Sequence, residues 1–294
     1  MKRLIVNADD LGADEARNAG IFEAIRAGSV TSASILANGP ALKGALQVVR
    51  ALPQKKVSWG IHLNLSEGAP LSAGLSLLTG KEGSLLGKAR THKLLSNPGN
   101  PELEKQVAQE IETQIHVLRE AGVRISHLDG HQHVHVFPAA IRPAVRAARI
   151  HRIPWVRIPE DPGPNLGAPG IQDSLMDEAR NFSRLGAQAR PHLKASGVST
   201  TDYFRGLYLK GKFTLPIMEE NLRQLPPGLT ELMVHPGRVP AAPIPSPFSA
   251  FSNLDREKEL ETLLDDSFRL ALDRNGIGLT PFPGIGDSFP PCAS

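Results

Sequence analysis

A single cysteine, Cys292, is all the thiol chemistry in this chain of 294 residues. One cysteine permits neither an intrachain disulfide nor a cysteine-built zinc site. An oxidising compartment therefore gains no support, and the cytoplasm is the expected location. No apolar run approaches the roughly 18 residues from which a membrane-crossing helix is read. The basic start Met1-Lys2-Arg3 would suit a secretory leader, but Asp9 and Asp10 interrupt it before any sufficiently long apolar stretch. An excess of one charge sign is lacking too. The 33 basic residues face 30 acidic ones, net +3, and they are scattered, so neither nucleic acid nor an anionic membrane is an expected partner.

Motifs for nucleotide and acyl-enzyme chemistry are also missing. Gly284-Ile285-Gly286 has no third glycine and does not lead from a strand into a helix. The stretch from Gly83 to Ala89 misses the spacing of a phosphate-binding loop, and no Gly-x-Ser-x-Gly elbow is present. What remains is an ordinary globular composition, 40% apolar and 21% charged, long enough to bury a sizeable core.

Within it, short β-rich runs alternate with longer amphipathic segments, the pattern of parallel βα units. The runs 4–7, 31–37, 57–63, 125–129, 155–158, 229–234 and 276–280 read as strands, with 199–204 extended. Helices are expected over 15–27, 42–52, 101–121, 139–148, 175–193, 216–225 and 255–273, the first capped by Asp14 and stopped by Gly28. The segment 64–100 is too long for a plain connection, and its leucines either pack among themselves or form an apolar wall for a substrate. The reading is an α/β fold: a single-domain, TIM-barrel-like (β/α) barrel of about seven parallel strands. It spans 1–280, with inserted loops near 64–100 and 159–198 and a tail over 281–294.

Polar chemistry gathers at the carboxyl ends of these strands. Asp9 and Asp10 follow the first, His62 ends the third, Asp129 and His131 follow the fourth, and His235 follows the late strand. In a parallel barrel such ends converge on one face, where catalytic groups sit. Bland readings exist: adjacent aspartates often cap helices, and a lone histidine between apolar neighbours is often a hydrogen-bonded core residue. Asp14, however, is the more natural cap for the first helix. The run from His127 to His135 puts five titratable side chains into nine residues, too many to bury without partners. If extended, it places His131, His133 and His135 on one face. Apart from a solvated histidine cluster, the simplest account is a divalent ion, since imidazole and carboxylate suit zinc, iron, cobalt or nickel.

At these residues the chain resembles the YdjC-like carbohydrate deacetylase family, through VNADDLG at 6–12, VTSAS at 30–34, GIHLN at 60–64, SHLDGHQHVH at 126–135 and VHPG at 234–237. The family usually has Phe in place of Leu11 and often Ser in place of Gly130. The resemblance implies a distorted (β/α) barrel holding one divalent metal ion, magnesium or zinc first and nickel, cobalt or iron as alternatives. Its ligands carry over to Asp10, His62 and His131. It further implies removal of an N-acetyl group from an amino sugar in an oligosaccharide or glycoconjugate. On that reading Asp9 is the general base toward a metal-activated water, and a protonated His235 is the general acid for the departing amine. Asp129, His133 and His135 orient ligands or a sugar hydroxyl, and Arg157 fixes a substrate hydroxyl or Asp9.

Rival readings are a metal-dependent amidohydrolase on another amide, a non-haem iron oxygenase, and a carbohydrate-binding barrel without catalysis. The helical segments contradict the oxygenase's usual all-β fold, and the late strand lacks the extra carboxylate that an amidohydrolase wants. Expected partners are an N-acetylated sugar or glycoconjugate, with a homo-oligomer left open.

Overall fold

Ten residues, Lys2–Leu11, form strand β1, and the rest of the sheet is arranged around it. In the computed structural model, which describes residues 1–52, 56–163, 173–240, 248 and 252–283, β7 (Gly228–Val234) runs along one edge of β1 from Lys2 to Ala8. The other edge is shared. The short β8 (Ile277–Leu279) lies beside Lys2 to Leu4, and β2 (Ser32–Ile35) beside Asn7 to Leu11. Beyond β2 follow β3 (Ser58–Leu63), β4 (Ile125–Gly130) and β5 (Trp155–Val156), and β6 (Tyr203–Arg205) lies outside β7. Every pairing is parallel. Ser199, just before β6, donates its N–H to the Pro154 carbonyl and accepts that of Val156, both at 2.9 Å. The two ends of the strand path are thereby tied, and the sheet curls into a barrel-like wall, as expected.

The helices surround that wall: α1 (Glu15–Ala27), α2 (Leu42–Ala51), α3 (Lys88–Leu95), α4 (Pro101–Glu120), α5 (Ile141–Ile150), α6 (Asp173–Ser196), α7 (Leu215–Arg223), α8 (Leu254–Leu264) and α9 (Asp266–Arg274). A parallel strand covered on both faces needs apolar residues on both. In β1, Leu4, Ile5, Val6, Ala8 and Leu11 are accordingly all fully buried. Leu103, Val107, Ile111, Ile115 and Leu118 give α4 its buried stripe at helical spacing. Helix α1 starts and stops where its caps dictate: the Asp14 carboxylate accepts the Arg17 N–H at 2.7 Å, and Gly28 takes the left-handed φ of 78°.

Several expectations need correction. The stretch 255–273 is two helices, because Asp265 leaves the helical region at ψ 131° and caps α9 by accepting the Ser267 N–H. The run 131–136 is not extended but a short 3-10 turn in which Gln132 and His133 have φ of 53° and 57°, so strand alternation does not hold there. Segment 64–100 contains α3 and a bridge between Thr79 and Leu85, and Leu75, Leu78, Leu85 and Leu95 are buried in the main core. Those four leucines pack inward and leave little for an apolar wall. The expected tail from 284 on, with Cys292 and the Gly284–Gly286 pair, and most of the loops 159–170 and 236–247 lie outside the described residues, whereas Phe282 at the start of that tail is buried. Among the described residues, no helix is long and apolar enough to cross a membrane.

Candidate active site

A cavity of about 110 Å³ opens at the carboxyl ends of the strands, and its lining includes Asp9, Asp10, His62, His131, His133 and His235. Two of these are neighbours on a strand, where side chains should face opposite ways. The pairing of β1 with β2 slips between Ala8 and Leu11, three residues against two, and Asp10 sits at a left-handed φ of 67°. This bulge is what brings both carboxylates to one site.

Asp10 Oδ1 receives His131 Nδ1 at 2.7 Å and faces His62 Nε2 at 3.2 Å, while its Oδ2 accepts from Arg17 Nη1 at 2.7 Å. The other nitrogen of each imidazole meets a second carboxylate: His62 Nδ1 lies 2.7 Å from Asp129 Oδ1, and His131 Nε2 3.0 Å from Glu67 Oε2. One ligand atom each from Asp10, His62 and His131 lies within 4.8 Å of the others. One carboxylate and two imidazoles, buried together, fit a divalent ion that keeps positions for water and substrate. Burial alone would raise Asp10, but the charge and hydrogen bond of His131, the hydrogen bond of His62 and the charge of Arg17 hold it well below the usual carboxylate range. Burial would lower His62, yet Asp129 and Asp9 carry it up to about 10, and Asp10 and Glu67 raise His131 against its own burial. A dication placed among these groups would displace those protons.

A second group, Asp9, His62 and Asp129, is equally compact, but it already has its cation. Arg157 reaches Asp9 Oδ2 at 2.7 Å, Asp129 Oδ2 at 2.8 Å and Glu231 Oε1 at 2.8 Å. Burial lifts Glu231 to about 7 in spite of that guanidinium. Asn7 and Ser34 complete the floor, Asn7 Nδ2 donating to Asp9 Oδ1 at 2.8 Å and Ser34 Oγ to Asp129 Oδ2 at 2.6 Å. His235 stands across the cavity with Nε2 4.0 Å from Asp9 Oδ2 and its ring 26% exposed. Burial and then Arg256 hold this imidazole well below its ordinary value, so the resting ring is neutral.

The remaining histidines of the run divide. His133 lines the cavity, edge-on to Phe182 at 4.6 Å. His135 stands behind the site and donates Nε2–H to the Arg157 carbonyl at 3.0 Å, burial keeping it neutral with a value of about 4. His127 is a core residue stacked on Phe282 at 4.1 Å. Its ring fits because residue 60 is glycine: a Cβ there would lie 2.2 Å from His127 Nε2. Arg17, Glu67 and Glu231 were not singled out by the sequence. Each is an isolated charge in an otherwise ordinary helix, loop or strand, and only the fold shows Arg17 meeting Asp10, Glu67 meeting His131 and Glu231 meeting Arg157.

Known proteins resemble this chain along most of its length. A carbohydrate deacetylase of Mus musculus is 33% identical over 310 residues, covering 98% of this chain and 96% of the mouse protein. The Homo sapiens carbohydrate deacetylase is 32% identical, over 98% and 92%. A chitooligosaccharide deacetylase of Citrobacter koseri reaches 41% over 140 residues, which is 46% of this chain and 51% of that protein. A crystal structure from Enterococcus faecalis V583, provisionally described as a cellobiose-phosphate cleavage protein, superposes with a TM-score of 0.72 at 22% identity, covering 96% and 97%. That likeness speaks for the fold alone. The profile of the YdjC-like protein family matches residues 3–274, and the chain belongs to that family.

Proposed function

We propose that the protein is a metal-dependent carbohydrate N-deacetylase, hydrolysing the acetamide of an amino sugar to acetate and a free amine. The observation that carries this reading is the pairing, in one cavity, of a ligand set (Asp10, His62 and His131) with a separate carboxylate, Asp9, that is held by Arg157 and stands outside that set. The relatives named carbohydrate deacetylase support the substrate class.

A divalent ion at Asp10, His62 and His131 supplies Lewis acidity toward the acetamide carbonyl and the attacking water. The chain's own residues handle the proton. Asp9 Oδ1 is occupied by Asn7 and Arg157, whereas Oδ2 accepts only from Arg157 Nη1 among the described residues and faces His235. Oδ2 is therefore the atom that takes the proton from water. Because resting His235 is neutral, it is loaded during turnover: the proton passes from Asp9 to Nε2 and on to the leaving nitrogen as the C–N bond breaks. Glu259 steadies this residue by accepting its backbone N–H at 2.6 Å. Asp129 and Arg157 are positioning groups, set behind His62 and Asp9 respectively.

The test is acetate release from a panel of N-acetylated oligosaccharides and glycoconjugates, with metal content measured on the same preparation. Metal-replete protein that binds such sugars without releasing acetate would favour the non-catalytic binding protein instead.

A further inference from the structure

Glu67 is held in place from both ends. Its backbone is fastened by Asn64, whose Oδ1 accepts the N–H groups of Ser66 at 3.0 Å and Glu67 at 3.1 Å, and whose Nδ2 donates to the Glu67 carbonyl at 2.7 Å. Asn38 adds a donor to that carbonyl at 3.3 Å and to that of Ala69 at 3.0 Å. The side chain, 16% exposed, is engaged at both oxygens: Oε2 by His131 Nε2 at 3.0 Å, and Oε1 by Gln132 Nε2 at 2.7 Å. Two adjacent residues can both reach Glu67 because the chain turns through left-handed φ at Gln132 and His133. Non-glycine residues rarely adopt such backbone, so the turn is kept against a penalty.

We infer that Glu67 is the positioning carboxylate of the metal site, the residue that decides which nitrogen of His131 is presented to an ion. A carboxylate of this kind accepts, and an ion held beside Asp10 would take the lone pair on that side of the ring, so Glu67 would keep the remaining proton on Nε2 while Nδ1, 2.7 Å from Asp10 Oδ1, would face the ion. Asp129 does the same for His62, holding Nδ1 and leaving Nε2 toward Asp10. The two imidazoles are thus backed by carboxylates of different origin, one from the barrel strand β4 and one from the root of the inserted segment 64–100. Carboxylates placed behind ligand histidines govern metal affinity. The inference rests on the metal-dependent reading above, and adds that the inserted segment takes part in holding the metal.

Glu67→Gln tests this, because the amide keeps the size of the side chain and can still accept from Gln132 but cannot accept His131 Nε2–H in the same pose. Titration of the metal-free protein with Zn²⁺ against a chromophoric chelator should show affinity weakened about 10–100-fold. The visible spectrum of the Co²⁺ form should shift as well, while the thermal midpoint of the metal-free protein stays at the wild-type value. If Glu67→Gln does not fold, Gln132→Asn withdraws only the hydrogen bond that steadies Glu67, tolerates the left-handed backbone, and should give a smaller loss in the same direction. Wild-type affinity and an unchanged Co²⁺ spectrum in the variant overturn the inference and leave the metal site standing. Wild-type protein that binds neither Zn²⁺ nor Co²⁺ overturns the metal reading itself.

Discussion

Arg157 grips Asp9 along two hydrogen bonds of 2.7 Å, Nη1 to Oδ2 and Nη2 to Oδ1. The same guanidinium serves Asp129 and Glu231, so one cation holds three buried carboxylates. Arg157→Met takes the shared cation from all three, leaving Asp129 to His62 and Ser34, and breaking a buried charge network from one side costs about 3–5 kcal/mol. Urea denaturation of the metal-free protein should register that loss. Arg157→Lys keeps the charge but not the fork, and should recover stability more than it recovers turnover. A methionine variant as stable as the wild type would mean that the carboxylates find other partners.

The adjacent aspartates should separate cleanly. On the proposed division, with Asp9 as proton acceptor and Asp10 as ligand, Asp9→Asn should lower turnover about 10²–10⁴-fold with metal retained. Asp10→Asn should lose metal as well. Equal metal loss in both variants would contradict the division of labour.

Stability should decline in acid through the buried core histidines. Burial holds His127 down from 6.5 to about 3, so between those values the unfolded chain binds a proton that the folded one refuses. Stability from this residue is complete above pH 6.5, falls as pH drops through the window, and levels below 3. The slope for one such group is at most about 1.4 kcal/mol per pH unit. His135, held at about 4, acts with the same sign. Denaturation curves collected across this range should be shallower in pH for His127→Gln. An identical dependence in the variant would remove His127 from the account.

Gly20 lies where α1 meets the segment after His235. A Cβ at that position would stand 2.5 Å from the Gly237 Cα, with backbone on both sides of the contact. Gly20→Ala should therefore cost about 1–3 kcal/mol, as overpacking does, and lower turnover by displacing His235. Unaltered melting and kinetics would show that the two segments slide apart freely.

Lys88 on α3 and Glu178 on α6 form an ion pair, and both line the candidate active-site cavity. The pair joins the segments 64–100 and 159–198 across the cavity. Part-exposed pairs contribute only about 0–1 kcal/mol, so Lys88→Met should hardly move the melting temperature. It should raise KM several-fold and leave metal affinity unchanged if the segments shape substrate binding. An unchanged KM would take this contact out of recognition.

Much of this was legible in the chain. Asp14 and Gly28 fix α1 to the residue, because caps are local chemistry. The strand ends bearing Asp10, His62 and His131 were readable for the same reason: short apolar runs stop at polar residues. What was hidden depends on contacts distant in sequence. Glu67 meets His131 across 64 positions, and Glu231 meets Arg157 across 74. The break at Asp265 was a local signal read too weakly, since the apolar spacing continues across it. His133 and His135 part company because the 3-10 turn replaces the two-residue alternation of a strand.

The slip in β1 between Ala8 and Leu11 also bears on how this site could be moved elsewhere. Copying the dipeptide Asp-Asp onto the end of a regular barrel strand would send one carboxylate inward and the other among the outer helices. A graft has to carry the extra residue and a position that tolerates the φ of 67° seen at Asp10. The transferable unit is therefore a kinked strand end rather than a pair of letters. Deleting one residue from it would abolish one of the two roles even with both aspartates still present.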